Sequence, residues 1–126
     1  FYSGDNQIII SHIDEIELHT GHPFPKRLQS ARLAANLSQR ELGIRVGLDA
    51  GSASSRMNHY EKGRHVPDYS LACKIASELQ VPVAYFYCEN DSDAERLLKI
   101  AKLEPPELKI LDDLLARHTN SDVDIA

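Results

Sequence analysis

The sequence predicts an all-α protein: a five-helix core over residues 24–88, an N-terminal arm over residues 1–23 and further helices in a C-terminal extension over residues 89–126. Three observations carry that expectation. From Pro25 onward, apolar residues recur at helical spacing and not in alternation. A helix-start signal stands at Ser38, with Glu41 placed to complete a capping box. Gly or Pro punctuates the joints between helical stretches, at Gly47, Gly63, Pro67, Pro82 and Pro105.

The first helix begins at Pro25, with Leu28, Ala31, Leu33 and Ala35 as its apolar side, and stops near Asn36, a residue that tolerates the left-handed conformation. Ser38 caps a short second helix that ends at Gly47. The small, polar stretch Leu48–Ser55 leads into a third helix, capped by Ser52 or Ser54, which runs through Met57 and Tyr60 to Gly63. Pro67 and Asp68 open a fourth helix whose inward stripe is Leu71, Ala72, Ile75, Ala76 and Leu79. Val81-Pro82 breaks it, and a fifth helix from Val83 to Tyr87 closes the core with its aromatic cluster.

Outside this core, Ile8, Ile10, Ile16 and Leu18 fall on an every-second-residue pattern. They read as one or two short strands, or as an arm that pairs with another chain. Thr20–Pro25 is a linker. Glu89–Asp93 reads as an acidic hinge, followed by amphipathic helices over Ala94–Leu103 and Pro106–His118. Leu108, Leu111, Leu114 and Leu115 share one side of the second, as internal packing or as an oligomer seam. Residues 120–126 are expected to fray. The chain opens on Phe1 rather than Met, as a piece of a longer gene product does.

Charge is unevenly distributed. The net charge of −5 combines −4 over residues 1–23, +4 over residues 24–88 and −5 over residues 89–126. A basic centre between acidic arms suits a polyanionic partner, since the contacting face sets affinity and not the total. Cys73 and Cys88 do not make a disulfide framework and read as reduced thiols in a cytoplasmic protein. No apolar run reaches the roughly 18 residues of a membrane span. No Ser/His/Asp frame, phosphate-binding glycine loop or metal-ligand spacing is present, even around His12, His19 and His22, so neither an enzyme nor a cofactor or metal site is expected.

The centre meets the demands of a helix-turn-helix: a small residue where two short helices touch (Gly43), a glycine where the chain leaves the first of them (Gly47), and a buried side on the second supplied by Met57 and Tyr60. The runs Arg32-Leu-Ala-Ala-Asn-Leu-Ser-Gln-Arg-Glu-Leu-Gly43, Tyr60-Glu-Lys-Gly-Arg-His-Val-Pro67 and Leu71-Ala-Cys-Lys-Ile-Ala-Ser-Glu-Leu-Gln-Val-Pro82 resemble, in order, the segments of the XRE-type, phage repressor/Cro-like family. The resemblance covers about half the chain. It implies a five-helix, lambda-repressor-like DNA-binding domain acting as a dimer on a palindromic operator. The chain departs from the family pattern by a few extra residues near Leu48–Gly51, which bears on DNA register.

Transferred residue by residue, the resemblance implies base contacts from Ser54, Ser55, Arg56, Asn58 and His59. It implies phosphate contacts from Gln39, Arg40, Arg45, Lys62, Arg64 and His65, and a structural ion pair between Arg32 and Glu61. Asn58 suits bidentate pairing with adenine, and Arg56 suits guanine or a phosphate. The plainer alternatives are capping for Ser54 and Ser55, and a turn back onto the protein surface for Arg56. The expected function is a sequence-specific transcriptional regulator, a repressor bound to double-stranded DNA as a homodimer. The alternative is an antitoxin-like interaction protein that binds a partner protein through its acidic arms and regulates its own genes.

Overall fold

The computed structural model describes residues 22–121, with side chains described through His118. The expected strands and arm at residues 1–21, and residues 122–126, lie outside the described residues. Those described are all-helical: α1 (Phe24–Ala34), α2 (Gln39–Arg45), α3 (Ala53–Glu61), α4 (Tyr69–Leu79), a 3-10 segment (Val83–Tyr87), α5 (Asp91–Ile100) and α6 (Pro105–Ser121).

Local chemistry sets most of these boundaries. The Ser38 hydroxyl accepts from the Glu41 N–H at 2.9 Å, and the Glu41 carboxylate accepts from the Ser38 N–H at 2.8 Å, closing the capping box of α2. Asp68 caps α4 through the Leu71 N–H at 2.8 Å. The helices α1 to α4 all end on a left-handed residue: Asn36, Gly47, Gly63 and Gln80. After α2, the Leu48 N–H bonds the Gly43 carbonyl at 2.9 Å and the Gly47 N–H bonds that of Ile44 at 3.0 Å. That is a Schellman closure, and Gly47, at φ +96°, adopts it without a Cβ penalty.

Phe24, Leu28, Leu42, Met57, Ile75 and Phe86 are the largest fully buried side chains. Each is worth about 1.5–3 kcal/mol on burial. The Phe24 and Phe86 rings lie 4.9 Å apart, so the 3-10 segment is packed onto the start of α1.

Several sequence expectations need correction. The buried side of α1 is Phe24, Arg27, Leu28, Ala31 and Arg32; Leu33 and Ala35 lie off that stripe and are exposed. Ser52 precedes α3 but does not cap it, because its backbone (φ −124°, ψ 4°) is not the extended form that aims a capping oxygen inward, and Ser54 already lies within the helix. The fifth helix is a 3-10 turn, the form that so short a segment takes.

The expected hinge is the anchored start of α5. Asn90 caps it through the Asp93 N–H at 2.8 Å. Arg27 donates to the Cys88 carbonyl at 2.9 and 3.0 Å and to that of Glu89 at 3.2 Å, and pairs with Asp91 at 2.9 Å. Ala94 is buried and Leu98 packs on the core, so α5 joins the body. The side chains of α6 from Pro105 to His118, by contrast, are exposed or half-exposed.

Candidate nucleic-acid interface

A cleft-reading helix needs one side anchored and the other presented. In α3 the anchored side is Ala53, Met57, Tyr60 and Glu61, all buried. Ser54, Ser55 and Arg56 are exposed, and Asn58 and His59 are half-buried on the same outward side.

Gly43 sets how closely α2 approaches α3. A Cβ built there would stand 2.8 Å from the Ala53 Cβ and 3.0 Å from the Ala53 carbonyl oxygen. The stretch Leu48–Ser52 before α3 forms a compact turn and adds no helix. Leu48 packs on the core, the Asp49 carboxylate accepts from the Gly51 N–H at 3.1 Å, and the Ser52 N–H bonds the Asp49 carbonyl at 3.0 Å. Beyond this turn α3 starts directly against α2, with Ala53 next to Gly43.

Behind α3 lies a buried polar chain. Arg32 grips both oxygens of Glu61, through Nε to Oε2 and through Nη2 to Oε1 at 3.1 Å, and also donates to the Leu37 carbonyl at 2.9 Å. Glu61 Oε1 also accepts from Gln39 Nε2 at 3.0 Å, and Gln39 Nε2 donates to Asn58 Oδ1 at 3.1 Å. A carboxylate only accepts, so Gln39 must turn its amide nitrogen toward Glu61, and Asn58 must then turn its oxygen toward Gln39. The Gln39 oxygen and the Asn58 nitrogen are left over, an acceptor and a donor side by side.

The remaining candidates surround this pair. Arg56 donates to the Tyr60 hydroxyl at 3.0 Å, which tethers it along α3. Arg40 is exposed on α2. Arg45 pairs with Glu78 at 3.2 Å, with both partners accessible, a bond weak enough for a phosphate to displace. Lys62, Arg64 and His65 are exposed just beyond α3, and the His59 and His65 rings lie 5.2 Å apart. Glu41 is the nearby acid on α2. Its hydrogen bonds from the Ser38 backbone and hydroxyl hold its carboxyl below the usual range. Among the described residues no group of three or more His, Cys, Asp or Glu side chains is placed to hold a metal ion, and no helix is long and apolar enough to cross a membrane.

The sequence had singled out these residue types, but not the Gln39–Asn58 link nor the reach of Glu61 to Gln39. Both depend on how α2 crosses α3.

No family model and no curated protein matches the chain. Among solved structures, the crystal structure of the transcriptional regulator BswR superposes with a TM-score of 0.74 at 42% identity, covering 78% of this chain and 97% of that one. Identity at that level over nearly the whole of the BswR chain shows more than a shared fold: the chain belongs to the family of transcriptional regulators that includes BswR.

Proposed function

We propose that this protein is a sequence-specific DNA-binding repressor of the XRE type, which sets α3 in the major groove and reads a palindromic operator as a homodimer. The observation that carries this reading is the outward edge of α3, where Asn58 is held by Gln39, which is in turn held by the Glu61 carboxylate paired with Arg32. A side chain fixed before binding loses little entropy on contact. The Asn58 donor and the Gln39 acceptor together match the N7 acceptor and N6 donor of an adenine edge.

Ser54, Ser55, Arg56 and His59 extend the base-facing surface. Arg40, Arg45, Lys62, Arg64 and His65 flank it as phosphate contacts, fixing register without reading sequence. Two such helices one DNA turn apart, about 34–36 Å, would meet half-sites related by a two-fold axis.

Selection of bound duplexes from a random pool, using the full chain, tests the proposal. The expected product is an inverted repeat with half-sites about one turn apart. Retention of random and selected DNA with equal affinity would refute sequence-specific reading.

A further inference from the structure

We propose that the hollow between the second half of α3 and the loop after it holds one backbone phosphate of the bound DNA, and that His59 and His65 make this contact proton-dependent, so that DNA binding tightens as pH falls through the imidazole range. This regulation belongs to the same face and rests on the DNA-binding reading above. The hollow, about 370 Å³, is lined by Arg56, His59, Tyr60, His65 and Val66. It is built by the way α3 ends. Gly63, at φ +76°, turns the chain, the Arg64 N–H bonds the His59 carbonyl at 2.9 Å, and the Gly63 N–H bonds that of Tyr60 at 3.3 Å. The buried Pro67 then fixes the end of the loop. His65 is thereby returned to face His59, with ring centroids 5.2 Å apart and planes at 53°.

Every polar side chain of this lining can donate to an anion. Arg56 gives one N–H to the Tyr60 hydroxyl at 3.0 Å and keeps the rest of its fork. The Tyr60 hydroxyl, accepting there, keeps its own hydrogen to give. Each imidazole gains a second N–H and a positive charge when protonated. Two imidazolium rings side by side repel each other, and a phosphate set against both removes that penalty. The phosphate therefore draws protons onto the pair, and by reciprocity protons tighten the hold on the phosphate.

The surrounding charges leave the pair without a counter-ion. Lys62 and Arg64 are exposed on either side of Gly63. Among the described residues no carboxylate lines this hollow, nor the smaller one that His65 and Tyr60 share with His22 and Phe24 at the start of α1. The neighbouring acids are engaged elsewhere: Glu61 faces Arg32 and Gln39, and Asp68 caps α4 through the Leu71 N–H. His22 works in the opposite sense, because its Nδ1 accepts from the Phe24 N–H at 3.3 Å, a bond that protonation of that nitrogen breaks. The counter-charge of the His59–His65 pair thus lies beyond the described residues, and a duplex set against α3 brings one with each nucleotide.

Fluorescence anisotropy of the full chain on selected and scrambled duplexes, at constant salt from about pH 6 to about pH 8, tests this. Wild-type affinity should fall about tenfold or more across that range, since one proton taken up on binding is worth a decade per pH unit. Both duplexes should show the fall, because a phosphate contact does not read sequence. His59→Gln and His65→Gln should each flatten it, and the double variant should remove most of it. His22→Gln should leave it as in the wild type. His65→Lys, charged throughout, should hold its affinity at about pH 8. A wild-type affinity flat in pH would overturn the proposal, as would a fall that survives the double variant. Affinity rising with pH would overturn it too, and would seat an acid of residues 1–21 in the hollow, since protonation would then tighten that acid against the DNA. Exchanging chloride for inorganic phosphate at equal ionic strength separates the two sources of the anion. DNA binding should not change. Displacement of DNA from the wild type but not from the double variant would give the hollow to free phosphate and overturn the backbone contact. A protein that binds neither duplex at any pH would sink the DNA-binding reading itself, and this proposal with it.

Discussion

Gln39 on α2 and Asn58 on α3 are joined side chain to side chain at 3.1 Å, and the same Gln39 nitrogen is held by Glu61 at 3.0 Å. The two presented amides therefore act as one unit. Asn58→Ala should weaken binding to the selected operator by about 1–3 kcal/mol, the worth of a bidentate base contact. Gln39→Ala should do much the same, and the double variant should cost less than the sum, as residues sharing one network do. Fluorescence anisotropy on operator and scrambled duplexes checks this. Equal loss on both DNAs would remove Asn58 from base reading.

The Arg32–Glu61 pair is nearly sealed from solvent, with side chains 10% and 2% exposed. Removing one partner strands a buried charge, and Arg32→Ala should destabilise the fold by about 3–5 kcal/mol. Replacing both with apolar residues of similar volume, Arg32→Met with Glu61→Leu, should recover much of that stability. The recovered protein should still bind its operator less well than wild type, because Gln39 has lost its anchor. Urea denaturation and anisotropy separate the two effects. Full operator affinity in the double variant would show that Glu61 does not position Gln39.

Gly43 decides between two opposing effects. Alanine in a helix interior gains up to about 1 kcal/mol over glycine by propensity. Here its Cβ would meet both the Ala53 Cβ at 2.8 Å and the Ala53 carbonyl oxygen at 3.0 Å, and backbone does not yield cheaply. Overpacking of this kind costs about 1–3 kcal/mol, so Gly43→Ala should be net destabilising by urea melt. It should also weaken operator binding in the folded protein by tilting α3 from α2.

What was legible in the sequence is what local chemistry decides. Ser38 with Glu41, Asp68 and Gly47 mark helix ends through bonds spanning a few residues, so their positions are visible in one dimension. Gly43 was legible because a close helix crossing demands a small residue. The left-handed Gln80 was not, since its side chain carries no signal for that conformation. The docking of α5 was missed because it hangs on Arg27, far along the chain from the Cys88 and Glu89 carbonyls it holds. An arginine in a helix reads as a solvated charge until the chain folds and shows what it touches. In the candidate interface, the outward residues of α3 follow from helical periodicity once Met57 and Tyr60 are taken as buried. The coupling of Gln39 to Asn58 does not, because it exists only where two helices cross.

Asp91 provides a pH test of the α1–α5 junction. Lys26 at 3.2 Å and Arg27 at 2.9 Å hold its carboxyl below the ordinary value of 3.8. A carboxylate depressed in the folded state adds stability that is fully present above the unfolded value and is lost as pH falls through the folded one. Stability should therefore decline with acid from about pH 4 downward. Asp91→Asn should be less stable at pH 7 and should lose less on acidification, with thermal melts from pH 7 to pH 2 as the measurement. Parallel curves for the two proteins would show that the junction does not depend on this charge.

The phosphate contacts make a different demand, because they are read in salt and not in sequence. Each phosphate neutralised releases condensed counterions, so log K falls against log salt with a slope of about −0.9 per contact. Lys62 and Arg64, exposed just past α3, are expected to make such contacts. Lys62→Ala and Arg64→Ala should each reduce the slope by about 0.9 and weaken operator and scrambled DNA alike. Asn58→Ala should leave the slope unchanged while lowering operator affinity. Lys109→Ala, on α6 and paired with Asp113, should change neither. Affinities titrated from about 50 to 200 mM salt give the slopes directly. A slope that survives both Lys62→Ala and Arg64→Ala would place the DNA backbone on another face of the molecule.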